Sequence, residues 1–115
     1  MKIVNIHTGS DNESHIEIRD EIGTGDARMS SELEDAASIK FVHRPVGKSG
    51  YHNPPTRQYV LYLTARVEIG LGDGTSVVMN PGDVLRAEDV TGHGHTSNVM
   101  QGGICAFVSI PDGAL

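Results

Sequence analysis

The sequence predicts an all-β protein of one domain, and three observations lead to this prediction. The chain has 115 residues, which is enough for a single hydrophobic core. Its 14 glycines and 5 prolines fall between short apolar runs rather than in a repeat, as turn residues do between strands. Several of these runs alternate apolar and polar residues, the period of a half-buried strand. Roughly nine short strands separated by turns are typical of a β-sandwich or β-barrel.

Composition also excludes several classes of protein. The net charge of −6 argues against a nucleic-acid-binding surface, which needs clustered lysine and arginine. No apolar run approaches the ~20 residues of a membrane-spanning helix, and no basic segment followed by an apolar one resembles a secretory signal. A single cysteine, Cys105, cannot form an internal disulfide. We therefore expect a cytoplasmic protein without a membrane or nucleic-acid partner.

Residues 1–50 are predicted to form N-terminal strands and a loop. The three strands are Lys2–His7, His15–Arg19 and Ser38–Arg44. Pro45 ends the third strand because proline lacks a backbone donor. Glycines interrupt the pattern between Asp20 and Ala37, which is predicted to be a loop in which Ser31-x-x-Glu34 could cap one helical turn. Val46–Gly50 is predicted to be a connector.

Residues 51–110 are predicted to hold the core strands. Gln58–Thr64 is apolar on both faces, so either another segment of the chain or a second subunit must cover its second side. The later strands are Arg66–Ile69, Ser76–Met79, Asp83–Glu88, His95–Met100 and Gly103–Ile110. Gly72-Asp73-Gly74-Thr75 predicts a hairpin with a two-residue type I′ turn.

A spaced set of motifs lies between Tyr51 and His95. His52 is followed by Gln58, then by Pro81-Gly82-Asp83, and finally by Gly92-x-x-His95. In this order the motifs resemble the two halves of the cupin signature, which has a His-x-His pair, a glutamate, a hairpin, Pro-Gly-Asp and Gly-x-x-His. Gln58 stands in place of the glutamate, and Pro54 replaces the second histidine.

The chain also resembles a group of small bacterial cupins. It shares their His-x-x-Pro-x-Arg-Gln motif at residues 52–58, their Glu-Asp-x-x-Gly-x-Gly-His motif at residues 88–95, and a Ser-His pair at Ser14-His15. The resemblance implies one cupin domain over residues 1–115, folded as a jelly-roll barrel (a double-stranded β-helix), with a ligand site inside the barrel. It also implies a homodimer.

The resemblance implies a metal site formed by His52, Gln58 and His95, with one divalent transition metal (Fe, Mn, Ni or Zn). Imidazole nitrogen suits these metals, whereas the amide oxygen of glutamine is a weaker, uncharged ligand than a carboxylate. His93 would share the face of His95 in an extended strand and could replace the lost histidine. Alternatively, these side chains hydrogen-bond one another, water or the polar atoms of a ligand.

Five further residues have more than one interpretation. Tyr62 shares the face of Gln58 and is predicted to line the pocket, although a core tyrosine would give the same pattern. Arg57 should face the opposite way, and we favour a surface or interface ion pair over anion binding as its role. Glu88 or Asp89 could enter the barrel mouth, while backbone hydrogen bonding is the more common role of such residues in turns. His15 could reach the interior or remain solvated.

Two functions of different classes follow. In the first, the protein is an enzyme acting on a small polar organic molecule, of the isomerase, decarboxylase or dioxygenase type, and His52 and His95 hold a metal or act as general acid and base. In the second, it is a metal-free module that binds a small molecule without transforming it. In either case we expect a homodimer that buries Tyr59, Leu61 and Leu63, the outward face of Gln58–Thr64.

Overall fold

The computed structural model describes residues 1–111 and confirms the all-β prediction, since these residues form ten strands and no helix. The strands are β1 Lys2–Thr8, β2 Ser14–Glu21, β3 Ser38–Arg44, β4 Gly47–His52, β5 Gln58–Tyr62, β6 Arg66–Gly70, β7 Ser76–Met79, β8 Val84–Glu88, β9 His95–Gln101 and β10 Gly103–Ser109. Among the described residues, no helix could cross a membrane.

The strands form two sheets, an arrangement compatible with a β-sandwich or a barrel-like fold. One sheet has six strands in the order β2-β1-β8-β5-β10-β3, and the other has four in the order β4-β9-β6-β7. Neighbouring strands are antiparallel, except that β1 and β8 run parallel. This parallel pair joins the N-terminus to the middle of the large sheet.

The core lies between the two sheets, and the alternation of β5 shows how it forms. Gln58, Val60 and Tyr62 are buried on the inner face, as expected if Gln58 points inward. Val4, Ile6 and Leu85 join them from the same sheet, and Val67, Ile69 and Val99 approach from the smaller sheet. Each large apolar side chain buried in this way contributes about 1.5–3 kcal/mol relative to exposure.

The outer face of β5 is covered in part by the loop that precedes β3. Residues 31–36 lie over Tyr59 and Leu61, and the Tyr59 hydroxyl donates to Glu34 Oε2 at 3.2 Å. Arg86 forms an ion pair of 2.7 Å with the same Glu34. The helical turn expected at Ser31–Glu34 is absent, because Glu34 is engaged in these contacts with the sheet rather than in capping its own backbone.

Two local predictions are corrected by the structure. The connector expected at Val46–Gly50 is mostly strand, because β4 begins at Gly47 and pairs with β9 at the edge of the small sheet. The predicted two-residue turn is a three-residue loop, in which Gly74 N donates to Leu71 O and Leu71 N donates to Thr75 O. Of the loop residues only Gly74 has positive φ, at 85°, the geometry of a type I turn followed by a left-handed glycine.

Candidate functional site

A cavity of about 220 Å³ lies between the two sheets. Four of the predicted site residues line it: His52, Gln58, Tyr62 and His95. The other lining residues are Arg44, Asn53, Pro54, Pro55, Val60, Ile69, Leu85, Ala87, Ser97 and Phe107. The cavity thus combines an apolar wall with a small number of polar side chains, as small-molecule sites do.

The two histidines meet because their strands are paired. His52 ends β4 and His95 begins β9, and the two residues are register partners. Their ring centroids are 4.6 Å apart, with an interplanar angle of 62°. Gly94, with φ of 78°, permits this approach, since a Cβ there would overlap the carbonyl oxygen of His52.

Hydrogen bonds fix which nitrogen of each ring is free. His52 Nδ1 lies 2.9 Å from Gly50 O, and a carbonyl can only accept, so Nδ1 carries the proton. His95 Nδ1 lies 2.6 Å from Asp89 Oδ2 and donates to it in the same way. In each ring the nitrogen without a hydrogen-bond partner among residues 1–111 is therefore Nε2, which is available to a ligand in the cavity.

Asp89 is the functional residue that sequence reasoning did not assign. It is fully buried, and Ser14 Oγ donates to the same oxygen that accepts from His95, at 2.7 Å. Its other oxygen, Oδ1, is buried without a hydrogen-bond partner in residues 1–111. The signal was present in the sequence, because Ser14 opens the Ser-His pair and Asp89 lies in the Glu-Asp-x-x-Gly-x-Gly-His motif. The motif alone did not say which carboxylate faces inward.

Glu88 and Arg57 lie on the outside of the large sheet. Arg57 Nη2 and Glu88 Oε1 form an ion pair of 2.7 Å, the role predicted for Arg57. Burial acts to raise the pKa of Glu88, but the hydrogen bonds from Arg57 and Asn5 and the charge of Arg86 lower it overall. Glu88 therefore stabilises the sheet, while its neighbour Asp89 orients His95 at the cavity.

Gln58 and Tyr62 present polar groups on the inner face of β5. Gln58 is 8% exposed, and its side-chain amide forms no hydrogen bond within residues 1–111. Burial raises the pKa of the Tyr62 hydroxyl well above its ordinary value, and the opposing charge of nearby Arg44 does not offset this. The hydroxyl consequently stays protonated and can donate a hydrogen bond at any physiological pH.

The other four histidines do not line the cavity, and two of them, His93 and His15, were candidates in the sequence. His93 Nδ1 contacts Glu13 Oε2 at 2.8 Å, and its ring stacks on Tyr51 with centroids 3.9 Å apart. It does not share the face of His95, because β9 begins only at His95 and the left-handed Gly94 separates the two. His15 is exposed and pairs with Asp11 at 2.9 Å. Cys105 is buried, and burial raises the pKa of its thiol.

The metal donors available in the cavity are few. Among residues 1–111, no group of three or more histidine, cysteine, aspartate or glutamate side chains could hold a metal ion. A metal would therefore rest on His52, His95 and the uncharged amide of Gln58. Comparisons with protein-family models, with curated proteins and with solved structures found no match to this chain.

Proposed function

We propose that the chain is a small cupin-type jelly-roll domain that binds a small polar organic molecule in its cavity and transforms it by acid–base chemistry at His52 and His95. The observation that carries this proposal is the pair of facing imidazoles, each with Nδ1 bound to an oxygen acceptor and Nε2 free. The motif order between His52 and His95 and the two-sheet architecture support the cupin assignment.

Each residue has a distinct role in this chemistry. Asp89 holds the tautomer and orientation of His95, and its carboxylate balances the positive charge that the ring gains when Nε2 accepts a proton. His52 is held only by a backbone carbonyl, and it acts as the acid only after its Nε2 has taken a proton from solvent, which the resulting imidazolium then donates at a second position and returns to the neutral ring. Gln58 and the Tyr62 hydroxyl orient the polar atoms of the bound molecule.

The test is a binding titration by ¹H–¹⁵N NMR with a panel of small hydroxy- and oxo-compounds. We expect amide signals around the cavity to shift, and His52→Gln and His95→Gln each to weaken binding about 2–10-fold, the loss of one hydrogen bond of about 0.5–1.5 kcal/mol. His43→Gln is the matched control, because His43 is exposed on β3 and does not line the cavity. Signal shifts confined to another surface would overturn the proposal.

A second candidate function is metal-dependent chemistry, and the hydrogen bonds at Nδ1 favour it. Metal-binding histidines usually donate their other N–H to a carboxylate or a backbone carbonyl, as His95 and His52 do here. His52, His95 and Gln58 would then hold one divalent ion (Fe, Mn, Ni or Zn), which as a Lewis acid would polarise a carbonyl or hydroxyl oxygen of the ligand.

Elemental analysis after dialysis against each metal tests this second function. We expect His52→Ala combined with His95→Ala to abolish metal content, and Gln58→Glu to raise affinity by restoring a charged ligand. Affinity should fall in acid, because a histidine must be deprotonated at the nitrogen that binds the metal. Metal at only trace level in the wild-type protein after all four dialyses would rule this function out.

We also propose that the protein is a homodimer that joins through the outer face of the large sheet. The register places Phe41, Ala106, Leu61 and Val84 in one row across four strands. Residues 31–36 cover only part of this face, while Phe41 is 67% and Leu63 46% exposed. Exposed large apolar side chains such as these are typical of an interface, and a second copy of the chain offers an equivalent row.

A further inference from the structure

Among residues 1–111, Arg44 is the one lysine or arginine that lines the cavity, and no acidic side chain of these residues lines it. The carboxylate of Asp89 lies behind His95, and the chain as a whole has a net charge of −6. Arg57 and Arg86 both pair with Glu88, whereas Arg44 pairs with no carboxylate within residues 1–111 and has the thiol of Cys105 as a side-chain neighbour. A half-buried guanidinium that pairs with no carboxylate of residues 1–111 makes this end of the cavity attractive to an anion.

Arg44 lies at the opposite end of the cavity from the two histidines. Val42, Cys105 and Tyr62 are neighbours across three strands, and Arg44 is two residues beyond Val42 on the same face. Gln58 pairs with Ala87, next to the segment that leads through Asp89 to His95. Tyr62 is four positions after Gln58 along β5, which corresponds to about 13 Å of strand.

The wall between the two ends is apolar. Val60, Leu85 and Phe107 line the cavity there. The volume of about 220 Å³ is below the usual range of drug-sized ligand sites, which limits the occupant to a short chain. A fitting molecule therefore has an anionic group at one end, a few methylene carbons, and a polar oxygen at the other end.

We propose that the cavity binds a short-chain hydroxy- or oxo-monocarboxylate, with its carboxylate on Arg44 and its second oxygen at His52 and His95. This inference rests on the proposed function and adds the class of its ligand. A guanidinium can bind a carboxylate through two parallel N–H···O bonds, which a neutral amide cannot reproduce. The Tyr62 hydroxyl, near Arg44, can donate a further hydrogen bond to the same group.

The experiment compares matched pairs of carboxylate and amide by ¹H–¹⁵N NMR titration of the wild-type protein. The probes are 4-oxopentanoate against 4-oxopentanamide, and 4-hydroxybutanoate against 4-hydroxybutanamide. We expect at least one carboxylate to bind at least tenfold more tightly than its amide, with shifts at cavity residues. This comparison needs no variant, so it stands even if a substitution at Arg44 impairs folding.

Variants then assign the preference to one residue. Arg44→Gln should remove the carboxylate preference, Arg44→Lys should retain a part of it, and Arg28→Gln should leave it unchanged, since Arg28 is exposed in the loop before β3. Equal affinity for amides and carboxylates in the cavity would overturn the anion assignment while leaving the proposed function intact. The anion assignment would also be overturned if neither the carboxylates nor the amides bind in the cavity while other compounds of the hydroxy- and oxo-panel bind there. Failure of every compound to bind there would overturn both.

Discussion

Gly94→Ala tests whether the close approach of the two histidine strands depends on one glycine. Gly94 has φ of 78°, a conformation that costs an L-residue about 1–2 kcal/mol. A Cβ there would also lie 2.6 Å from the carbonyl carbon of His52, against 3.4 Å for ordinary contact, so the end of β4 must retreat by at least 0.8 Å. Overpacking of this kind costs about 1–3 kcal/mol more.

Gly74→Ala is the matched control, because Gly74 has φ of 85° and nothing within 4 Å of the added Cβ. Urea unfolding followed by circular dichroism should show a loss of about 1–2 kcal/mol for Gly74→Ala and about 2–5 kcal/mol for Gly94→Ala. The imidazole NMR signals of His52 and His95 should shift only in Gly94→Ala, and ligand binding in the cavity should weaken. Equal destabilisation by the two substitutions, with unshifted imidazole signals, would refute the reasoning.

Two more predictions concern acid stability and assembly. Burial acts to raise the pKa of Asp83, but hydrogen bonds from the backbone of Lys2 and Asn80, together with the Lys2 ammonium, lower this pKa overall. The stability that Asp83 contributes is therefore complete above the pKa of an unfolded aspartate, about 3.9, and is lost as pH falls through the lower pKa of the folded state. Asp83→Asn should thus reduce Tm by roughly 4 °C at pH 7, for a loss of about 1 kcal/mol. In calorimetry, the difference in Tm between wild type and variant should shrink below about pH 4, and a Tm difference that stays constant with pH would contradict this. Leu61→Lys should split the proposed dimer without unfolding the chain, and a wild-type monomer in sedimentation at tens of micromolar would contradict the dimer.

Period-2 alternation and turn residues predicted most of the strands, because both depend on local sequence. The alternation of β5 correctly placed Gln58, Val60 and Tyr62 inside. β4 was missed because its glycines and exposed side chains show no apolar pattern. It is a strand because its backbone pairs with that of β9. The position of the loop residue Glu34 likewise depends on contacts with residues far along the chain, Tyr59 and Arg86.

Residues of the candidate site were predictable where a sequence motif specifies them. They were not predictable where only tertiary contacts distinguish two residues adjacent in sequence. His52, Gln58 and His95 were identified from the family resemblance of their motifs, and they line one cavity. Asp89 could not be separated from Glu88, since only the fold shows which of them is buried against His95. Arg44 was assigned to the correct strand, but its position opposite the histidines depends on the register of β3, β10 and β5.

The hydrogen bond from Ser14 to Asp89 joins residues that are 75 positions apart in sequence. Contacts of such separation form slowly, because a long loop must close before they contribute. The N-terminal hairpin, which packs beside β8, thus supplies a hydrogen bond to the carboxylate that holds His95. A fragment that begins at residue 51 would have both histidines but would lack Ser14, so the Asp89 carboxylate would lose one of its two hydrogen-bond donors.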